Sequence, residues 1–410
     1  MTCRFEPLLL RGDARALPLT DQSVQCVVTS PPYWGLRDYG LLPLVWGGQD
    51  RCEHQWGTGH FRSDKRGVDG STLAGTLQPE ARRLNGAFQG QWCLRCSAWR
   101  GSLGLEPTPG LYVQHLVEIF REVRRVLRDD GTVWLNLGDS YAASPKGNLN
   151  GQDKSTLTST RTQEHSPIGI NKLAIGLKPK DLVGIPWRVA FALQADGWHL
   201  RSDIIFAKPN PMPESVRDRP TRAHEYLFLL SKSERYYYDA TSIAEPVTWP
   251  ETKARIQFSS RRAYAAGVLP SGNEAGKLYQ RPTTRNRRSV WVIPTQPYKG
   301  AHFATFPEKL VEPCILAGCP PGGIVLDPFV GSGTVCAVAT RLGRRSVGVD
   351  LKPEYLHLAV QRISGATMVP LRDKRGQGPR QYAGFNERWR QRGRHLSLLV
   401  AAARLAARWR

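Results

Sequence analysis

The sequence lacks the features that mark membrane and secreted proteins. It contains no run of about 18 consecutive apolar residues, the length that a membrane-spanning helix requires. Its N-terminus shows no basic region followed by an apolar stretch, so no secretion signal is expected. The eight cysteines do not form the framework of a small secreted domain. These absences predict a protein of the reducing cytoplasm that has no membrane partner.

Acidic residues are few relative to basic ones. The chain has 57 Lys and Arg residues against 35 Asp and Glu residues, which gives a formal net charge of +22. A field of that sign suits a polyanion such as nucleic acid, although an arginine-rich surface can also arise from coding bias. The sequence has no internal repeats, and 410 residues can bury a large core and hold two or more domains.

A short proline-rich turn follows the first strongly apolar stretch. Val24 to Val28 reads as a buried strand, and Thr29-Ser30-Pro31-Pro32-Tyr33 comes directly after it. The two prolines end the strand because neither has an N–H group to donate to a sheet. The free carbonyls and the aromatic ring would then face an amino-bearing ligand at the carboxyl edge of the sheet, where α/β proteins bind ligands. An ordinary turn is the alternative.

A second motif lies near the other end of the chain. Gly323 to Asp327 is another apolar strand pattern, and Pro328-Phe329-Val330-Gly331-Ser332-Gly333-Thr334 leads from it into a helical pattern from Val335 to Leu342. Glycines between a strand and a helix let the backbone approach a ligand closely, and the helix N-terminus directs N–H groups at it. Asp350 ends the next strand pattern, where an acid can accept hydrogen bonds from ribose hydroxyls.

Together the two motifs resemble those of the amino-directed DNA methyltransferases, which methylate the exocyclic N4 of cytosine or N6 of adenine. The catalytic motif comes first, an order similar to that of the family's β class. The resemblance implies S-adenosylmethionine as the methyl donor, double-stranded DNA as the substrate, and a Rossmann-like α/β sheet with helices on both faces. Two alternatives stay open, an RNA methyltransferase and a non-catalytic DNA-binding relative. The resemblance does not determine whether a cognate restriction endonuclease is a partner, nor the oligomeric state.

The resemblance also assigns roles to individual residues. A flipped target base would stack on Tyr33, and its amine would be held by Ser30 and the Pro31 carbonyl, on a turn that Pro32 stiffens. Because many adenine-specific relatives carry Asp where Ser30 stands, we expect the target to be N4 of cytosine, with N6 of adenine as the alternative. The residues expected to bind S-adenosylmethionine are Asp13, Phe306, Asp327, Phe329, Gly331, Ser332, Gly333, Thr334 and Asp350.

A cysteine-containing segment interrupts the α/β pattern between residues 47 and 104. Its three thiols and one imidazole can close a tetrahedral Zn²⁺ site. Two of these groups lie near the start of the segment and two near its end. The residues between them have too little apolar content to fold unaided, so a metal would supply the missing stabilisation. We therefore expect a small zinc knuckle with a structural Zn²⁺, and unpaired thiols in a loop are the alternative. The expected ligands are Cys52, His54, Cys93 and Cys96.

The sequence predicts one catalytic domain assembled from separated segments, with a mobile loop at 142–180 and an irregular, basic target-recognition region between the two motifs. That basic region could instead be a solvated loop. The predicted division, in chain order, is the start of the catalytic half at 1–46, the zinc-binding insertion at 47–104, the rest of the catalytic half at 105–243, the target-recognition region at 244–290, the S-adenosylmethionine-binding half at 291–365 and a basic tail at 366–410.

Several local predictions concern the elements around the site. Asp139 follows a predicted strand, where it would either face the pocket near Ser30 or cap a helix. Cys314 lies in an apolar helical pattern and is expected in the core rather than as a nucleophile. The remaining predictions are a helix capped by Thr108 and ended by Asp129-Asp130-Gly131, a strand from Thr132 to Leu137, a helix from Asp181 to Ala195, and a hairpin of Glu225 to Ser231 with Arg235 to Asp239.

Overall fold

The computed structural model describes residues 5–36, 38–57, 90–142, 177–178, 180–247, 283–296 and 306–365. Four predicted segments therefore lie wholly or largely outside the described residues. They are the middle of the cysteine-containing segment, the loop 142–180, the target-recognition region 244–290 and the tail 366–410. The predicted division of the chain stays a prediction.

Thirteen strands and five α-helices occur in the described part of the chain. The strands are β1 (Leu8–Arg11), β2 (Val24–Thr29), β3 (Leu44–Trp46), β4 (Gly90–Trp92), β5 (Trp99–Gly101), β6 (Leu127–Leu137), β7 (His199–Ala207), β8 (His224–Ser231), β9 (Glu245–Pro246), β10 (Thr284–Arg285), β11 (Val290–Val292), β12 (Ile324–Asp327) and β13 (Arg345–Asp350). The helices are α1 (Pro109–Val126), α2 (Ile185–Ala195), α3 (Glu308–Gly318), α4 (Thr334–Arg341) and α5 (Pro353–Ser364). None of these helices is both long and apolar enough to cross a membrane.

Eight strands form one sheet in the order β1-β13-β12-β2-β6-β8-β7-β11. Neighbouring strands are parallel, except that β8 pairs antiparallel with both β6 and β7. All six residues of β2 are buried, as expected for a parallel strand that is covered on both faces. This mixed, mostly parallel sheet with its covering helices confirms the predicted α/β architecture.

Hydrophobic clusters cover both faces of the large sheet. Val27 and Val133 belong to the cluster that contains α1 and α2, whereas Val28 and Trp134 belong to the cluster that contains α3 and α4. Neighbouring residues along a strand point to opposite faces, so one apolar run supplies both cores. Cys314 is fully buried in the second cluster, which confirms its prediction as a core residue.

The two sequence motifs meet because β2 and β12 are neighbouring parallel strands. At the end of β2, the Thr29 hydroxyl donates a 2.7 Å hydrogen bond to the Oδ1 atom of Asp327, which lies 298 residues further along the chain at the end of β12. Parallel strands present their carboxyl ends at the same edge of a sheet. The proline turn and the glycine loop therefore begin side by side.

Helix α1 leads into strand β6 without an intervening loop. Thr108 caps the helix as predicted, since its hydroxyl accepts a 3.1 Å hydrogen bond from the Leu111 N–H group. The predicted helix end at Asp129-Asp130-Gly131 is wrong, because these residues lie within β6, which begins at Leu127 rather than at Thr132. The register between β2 and β6 shifts in this stretch, so a bulge accommodates the turn-forming residues.

Helix α2 begins at Ile185 and not at Asp181. Its N-cap is Gly184, and the Asp139 carboxylate accepts hydrogen bonds from the N–H groups of Gly184 at 3.0 Å and Ile185 at 3.1 Å. The carboxylate of Asp181 instead accepts a 3.1 Å hydrogen bond from the Lys178 N–H group. The capping role considered for Asp139 is confirmed, and the cap predicted at Asp181 is wrong because a distant carboxylate already satisfies the first helical N–H groups.

The predicted hairpin of Glu225 to Ser231 with Arg235 to Asp239 is also wrong. Strand β8 pairs along its length with β6 and β7, and residues 235–239 form no strand. They run across the sheet instead, where the Tyr238 ring stacks on Trp134 with centroids 6.4 Å apart. Both antiparallel partners of β8 are therefore strands that precede it in the chain.

Two smaller sheets flank the regions that lie outside the described residues. Strands β3, β5 and β4 form an antiparallel sheet in that order, and it begins before position 47. Strands β9 and β10 pair antiparallel and bring the two ends of segment 244–290 together. At this junction Arg285 and Arg288 form ion pairs with Glu245 at 3.3 Å and 2.9 Å.

Candidate active site

A cavity of about 970 Å³ lies at the carboxyl edge of the large sheet. Both sequence motifs contribute to its wall, so the structure brings together residues from the two ends of the chain. Gly333 is the one predicted catalytic or cofactor residue that does not line it. Those that do are Asp13, Ser30, Pro31, Pro32, Tyr33, Phe306, Asp327, Phe329, Gly331, Ser332, Thr334 and Asp350.

The two glycines of the loop after β12 have different environments. Gly331 has a φ of +48°, and a Cβ atom there would meet only the Phe329 carbonyl oxygen, at 3.8 Å. Gly333 has a φ of +79°, and a Cβ atom there would lie 2.7 Å from the Cβ atom of Ala359 on α5. Gly331 therefore leaves open space at the cavity, whereas Gly333 allows close packing inside the protein.

Two carboxyl groups face the cavity from the ends of β12 and β13, of which Asp327 is buried and Asp350 is partly buried. Burial raises the pKa of Asp327 to about 7, although Thr29 and the Phe329 N–H group donate hydrogen bonds to it. Burial also raises the pKa of Asp350 to about 6, and its oxygens accept from the N–H groups of Gly331 at 3.0 Å and Lys352 at 2.9 Å. Carboxyl groups held at such pKa values near neutral pH are suited to a positively charged or hydroxyl-bearing ligand.

Asp13 contributes to the cavity wall and also stabilises a local turn. Its carboxylate accepts a 2.9 Å hydrogen bond from the Arg15 N–H group and forms a 2.7 Å ion pair with the Arg15 guanidinium. The Arg15 guanidinium in turn lies over the Trp46 ring, 4.2 Å from its centroid. Asp13 therefore stabilises a local turn, and its position at the cavity is compatible with ligand contact as well.

The proline turn is held from behind by neighbouring elements. The Tyr112 hydroxyl on α1 donates a 2.8 Å hydrogen bond to the Pro32 carbonyl, and the Trp34 Nε1–H group donates at 2.9 Å to the Glu106 carbonyl. The Gly35 N–H group donates to the Gly104 carbonyl at 2.8 Å. These contacts fix the backbone that carries Ser30 and Tyr33 to the cavity.

Three functional candidates were missed by the sequence analysis. Asn136 lies near the end of β6, Lys208 follows β7, and Glu225 is near the start of the antiparallel strand β8, so all three reach the same edge of the sheet. A sequence signal existed for each, because each is a polar residue inside or at one end of an apolar strand pattern. The hairpin error hid Glu225, since it paired β8 with residues 235–239 and not with β6 and β7, the strands that bring Asn136 and Lys208 close to Glu225.

These residues form one polar network with the proline turn. The Tyr33 hydroxyl donates to Glu225 Oε2 at 2.9 Å and accepts from Asn136 Nδ2 at 2.6 Å and from Ser30 Oγ at 3.2 Å. The Lys208 ammonium forms an ion pair with Glu225 Oε1. The network connects the predicted base-stacking ring to the predicted amine acceptor.

The charges in this network have defined states near neutral pH. Burial disfavours ionisation of Glu225, but the Lys208 charge and hydrogen bonds from Lys208, Asn136 and Tyr33 hold its pKa below the ordinary value. Burial and the neighbouring Glu225 carboxylate raise the pKa of Tyr33 well above the ordinary value. Glu225 is therefore an anion, and Tyr33 is a neutral phenol that keeps its proton.

The predicted metal ligands also come together. The Sγ atoms of Cys52 and Cys93 are 3.8 Å apart, and the Sγ atom of Cys96 is 3.4 Å from the Nδ1 atom of His54. All four ligand atoms lie within 4.8 Å of one another. Tetrahedral Zn²⁺ with bonds of about 2.3 Å to sulfur requires sulfur–sulfur separations of about 3.8 Å. The donor set and its spacing therefore fit this ion.

A family model described as DNA methylase matches residues 24–361 of the chain. The chain belongs to this DNA methylase family. The Type II methyltransferase M.Cfr9I of Citrobacter freundii is 40% identical over 370 residues, which cover 88% of this chain and 91% of that protein. M.SmaI of Serratia marcescens, another Type II methyltransferase, is 41% identical over 357 residues, which cover 87% of this chain and 90% of that protein.

A solved structure also resembles this DNA methylase. The PvuII DNA methyltransferase, described as cytosine-N4-specific, aligns with a TM-score of 0.46 and 17% identity, covering 86% of this chain and 85% of that one. The family match and the sequence relatives establish the DNA methylase as an amino-methyltransferase of the class that modifies N4 of cytosine or N6 of adenine. The resemblance seen in the two sequence motifs is thereby confirmed.

The two loop glycines of this DNA methylase should respond differently to alanine. Both have positive φ angles, so each substitution costs about 1–2 kcal/mol through backbone strain. Gly333→Ala should cost about 1–3 kcal/mol more, because its Cβ atom would overpack against Ala359. We therefore expect Gly333→Ala to lower the thermal unfolding midpoint more than Gly331→Ala does. Equal shifts of the two midpoints would contradict these different environments.

Proposed function

We propose that the protein transfers a methyl group from S-adenosylmethionine to the exocyclic N4 of cytosine in double-stranded DNA. The observation that carries this proposal is that the proline turn and the glycine loop line one cavity, with Thr29 and Asp327 hydrogen-bonded between them. Two halves that each suit one substrate thus line the same cavity, which is the arrangement that a direct transfer requires.

The glycine-loop side of the cavity fits the cofactor. Space beside Gly331 admits close approach of a ligand to the backbone, and the carboxyl group of Asp350 is placed to accept hydrogen bonds from ribose hydroxyls. The Asp327 carboxyl group adds negative charge next to the proline turn, which favours a cationic ligand. When bound, S-adenosylmethionine would supply a methyl group attached to a positively charged sulfur.

The proline-turn side of the cavity fits a flipped base. An amine inside a duplex cannot reach the cofactor, so the base must leave the helix and enter the cavity. Tyr33 would stack on its ring, and the amine hydrogens would be accepted by Ser30 Oγ and the Pro31 carbonyl. The Pro32 carbonyl already accepts the Tyr112 hydroxyl, so it is not needed for this task.

The transfer needs no covalent bond between enzyme and base. The N4 lone pair forms the new nitrogen–carbon bond, the electron pair of the old carbon–sulfur bond leaves with sulfur, and N4 then releases one proton to solvent. Hydrogen bonds from both amine hydrogens to fixed acceptors direct the lone pair at the methyl group. Cys314 does not serve as a nucleophile, because it lies fully buried in the core.

Serine at position 30 favours cytosine in this proposal. A carboxylate accepts hydrogen bonds more strongly than a neutral hydroxyl does. By family resemblance the Ser form of the motif is associated mainly with cytosine and the Asp form with adenine. This association is a tendency, and N6 of adenine is therefore the second candidate target.

Duplex DNA is the proposed substrate, and a restriction–modification system is the proposed context. The net charge of +22 suits a polyanion, and the relatives M.Cfr9I and M.SmaI are named Type II methyltransferases. We infer from those names that a cognate endonuclease of the same DNA site accompanies the enzyme.

The base that is modified can be identified directly. Purified protein is incubated with S-adenosylmethionine and either duplex DNA or RNA, and the nucleic acid is digested to nucleosides and separated by mass. We expect N4-methylcytosine from DNA and no product from RNA, and Ser30→Ala should greatly reduce the yield. A product that contains only N6-methyladenine would reject the cytosine target, and modification of RNA alone would reject the DNA substrate.

The affinity for S-adenosylmethionine should depend on pH through Asp327. Its pKa of about 7 in the free protein means that the proton must leave before a cation can bind beside the carboxylate. Below that pH we expect the affinity to fall by up to about tenfold per pH unit. Calorimetry between about pH 6 and about pH 8, one unit on either side of the pKa of Asp327, would measure this.

Asp327→Asn is the matched variant for this measurement, since its amide oxygen can still accept the Thr29 hydrogen bond. It should weaken binding at pH 7.5 and remove the pH dependence near 7, leaving only the smaller change expected from Asp350 near pH 6. A wild-type affinity that stays constant across this range would contradict the proposed role of Asp327.

We further propose that Cys52, His54, Cys93 and Cys96 hold one structural Zn²⁺. The spacing of their ligand atoms supports the ion, and four protein ligands leave no open position for catalysis. The metal would join the turn between β4 and β5 to the segment that follows β3, which are separated in the chain by a stretch of low apolar content.

Elemental analysis of purified protein should therefore find about one Zn²⁺ per chain. The double variant Cys93→Ser/Cys96→Ser should lose the metal and unfold at a lower temperature. Leu94→Ala is the matched control, because Leu94 lies between the two cysteines with 68% of its surface exposed, and it should keep the metal. Metal retained in the double variant, or absent from the wild type, would reject this site.

A further inference from the structure

The Tyr33 hydroxyl has all of its hydrogen-bonding capacity in use. A phenol oxygen has one proton to donate and two lone pairs that accept. In this structure the proton goes to Glu225, and the two lone pairs face Asn136 Nδ2 and Ser30 Oγ. A group that approaches the Tyr33 hydroxyl oxygen along either lone pair must therefore be a hydrogen-bond donor.

The orientation of the Asn136 amide is set by the same chemistry. Its Nδ2 atom lies 2.6 Å from the Tyr33 oxygen and 2.9 Å from Glu225 Oε2. A rotated amide would place its own oxygen against a carboxylate and against a phenol oxygen whose proton is already used. The amide therefore donates to both, and it occupies the first lone pair of Tyr33.

Glu225 fixes the direction of every bond in the network. An ionised carboxylate can only accept hydrogen bonds, so Tyr33 must donate to it. The Lys208 ammonium neutralises the other carboxylate oxygen and keeps the anion in place. Since the Tyr33 proton is committed to Glu225, the remaining contact, from Ser30 at 3.2 Å, has Ser30 as the donor.

We propose that Glu225 is a positioning residue that makes Ser30 an acceptor for the amine of the target base. Acting through Tyr33, it draws the single Ser30 proton away from the base, which leaves the two Ser30 lone pairs facing the cavity. This inference rests on the proposed amino-methyltransferase function and extends it to the three residues that the sequence motifs do not include: Glu225, Asn136 and Lys208.

The need for such a residue follows from the serine itself. A hydroxyl that pointed its proton at the amine would repel the amine hydrogens and would hydrogen-bond the lone pair that must attack the methyl group. A carboxylate at the same position has no proton near neutral pH, so no neighbouring group is needed to direct a proton away from the amine. The network thus supplies what a neutral acceptor lacks.

The first test replaces Glu225 with glutamine. The new amide has nearly the same shape, but its NH₂ group can donate to Tyr33, which frees the Tyr33 proton to point at Ser30. We expect kcat to fall at least tenfold, while the dissociation constant for S-adenosylmethionine and the KM for DNA each change less than threefold. Unchanged kcat in an active enzyme would overturn the inference.

A double-mutant cycle separates this role from simple support of the fold. In the Ser30→Asp background there is no hydroxyl proton to direct, so Glu225→Gln should cause little or no further loss of kcat. If Ser30→Asp is itself inactive, Tyr33→Phe provides the second cycle. That variant removes the acceptor for the Ser30 proton, and Glu225→Gln should then add less than threefold. If Glu225→Gln lowers kcat by the same factor in the variant background as in the wild type, Glu225 serves only the structure.

Glu122→Gln is the matched control for these variants. Glu122 has 17% of its side chain exposed, against 19% for Glu225, and it also pairs with a cation, Arg125 at 2.6 Å, but it lies outside the cavity. Its kcat should equal that of the wild type. A wild-type protein that methylates neither DNA nor RNA would reject the proposed function itself, whereas an active wild type with an unaffected Glu225→Gln variant would reject only this inference.

Discussion

The hydrogen bond between Thr29 and Asp327 reflects the constraint on which the site depends, namely that β2 and β12 are parallel neighbours. Both residues are almost fully buried at the ends of their strands, so the two loops that follow must leave the sheet side by side. The connection between these strands spans most of the chain, and in its described part it adds β6, β8, β7 and β11 to the side of the sheet that begins at β2. Large segments can therefore be inserted between the motifs while the cavity keeps its geometry.

The sequence predicted those features that depend on local pattern. Apolar runs bounded by proline, glycine or aspartate located the strands that carry both motifs, and the motifs themselves located the cavity wall. Pairing between strands could not be predicted in this way, because the partner of β8 is chosen by the whole sheet rather than by the nearest strand pattern. Placing β8 in a local hairpin removed Glu225 from consideration, and with it the network that also contains Asn136 and Lys208.

A motif also does not reveal which of its atoms face the ligand. Gly331 and Gly333 look equivalent in the sequence, yet one borders the cavity and the other packs against Ala359. Pro31 and Pro32 likewise look equivalent, yet the Pro32 carbonyl is occupied by Tyr112. In both pairs the distinction comes from helices α5 and α1, which approach from distant parts of the chain. Residue type predicts the chemistry of a site, and tertiary packing selects the atoms that perform it.

The placement of charge around Ser30 explains how a neutral acceptor can suffice in the proposed reaction. The attacking nitrogen becomes positively charged as the methyl group is added, so negative charge nearby stabilises the transition state. A carboxylate at position 30 would provide that charge, but it would lie close to ionised Glu225, and the two negative charges would repel each other. With serine at position 30 this repulsion is absent, and the Glu225 anion is held in place by Lys208. Its effect reaches the amine through two hydrogen bonds, from Tyr33 to Glu225 and from Ser30 to Tyr33, each polarised in the same direction. In the proposed reaction the serine, the tyrosine and the glutamate would therefore act as one extended acceptor.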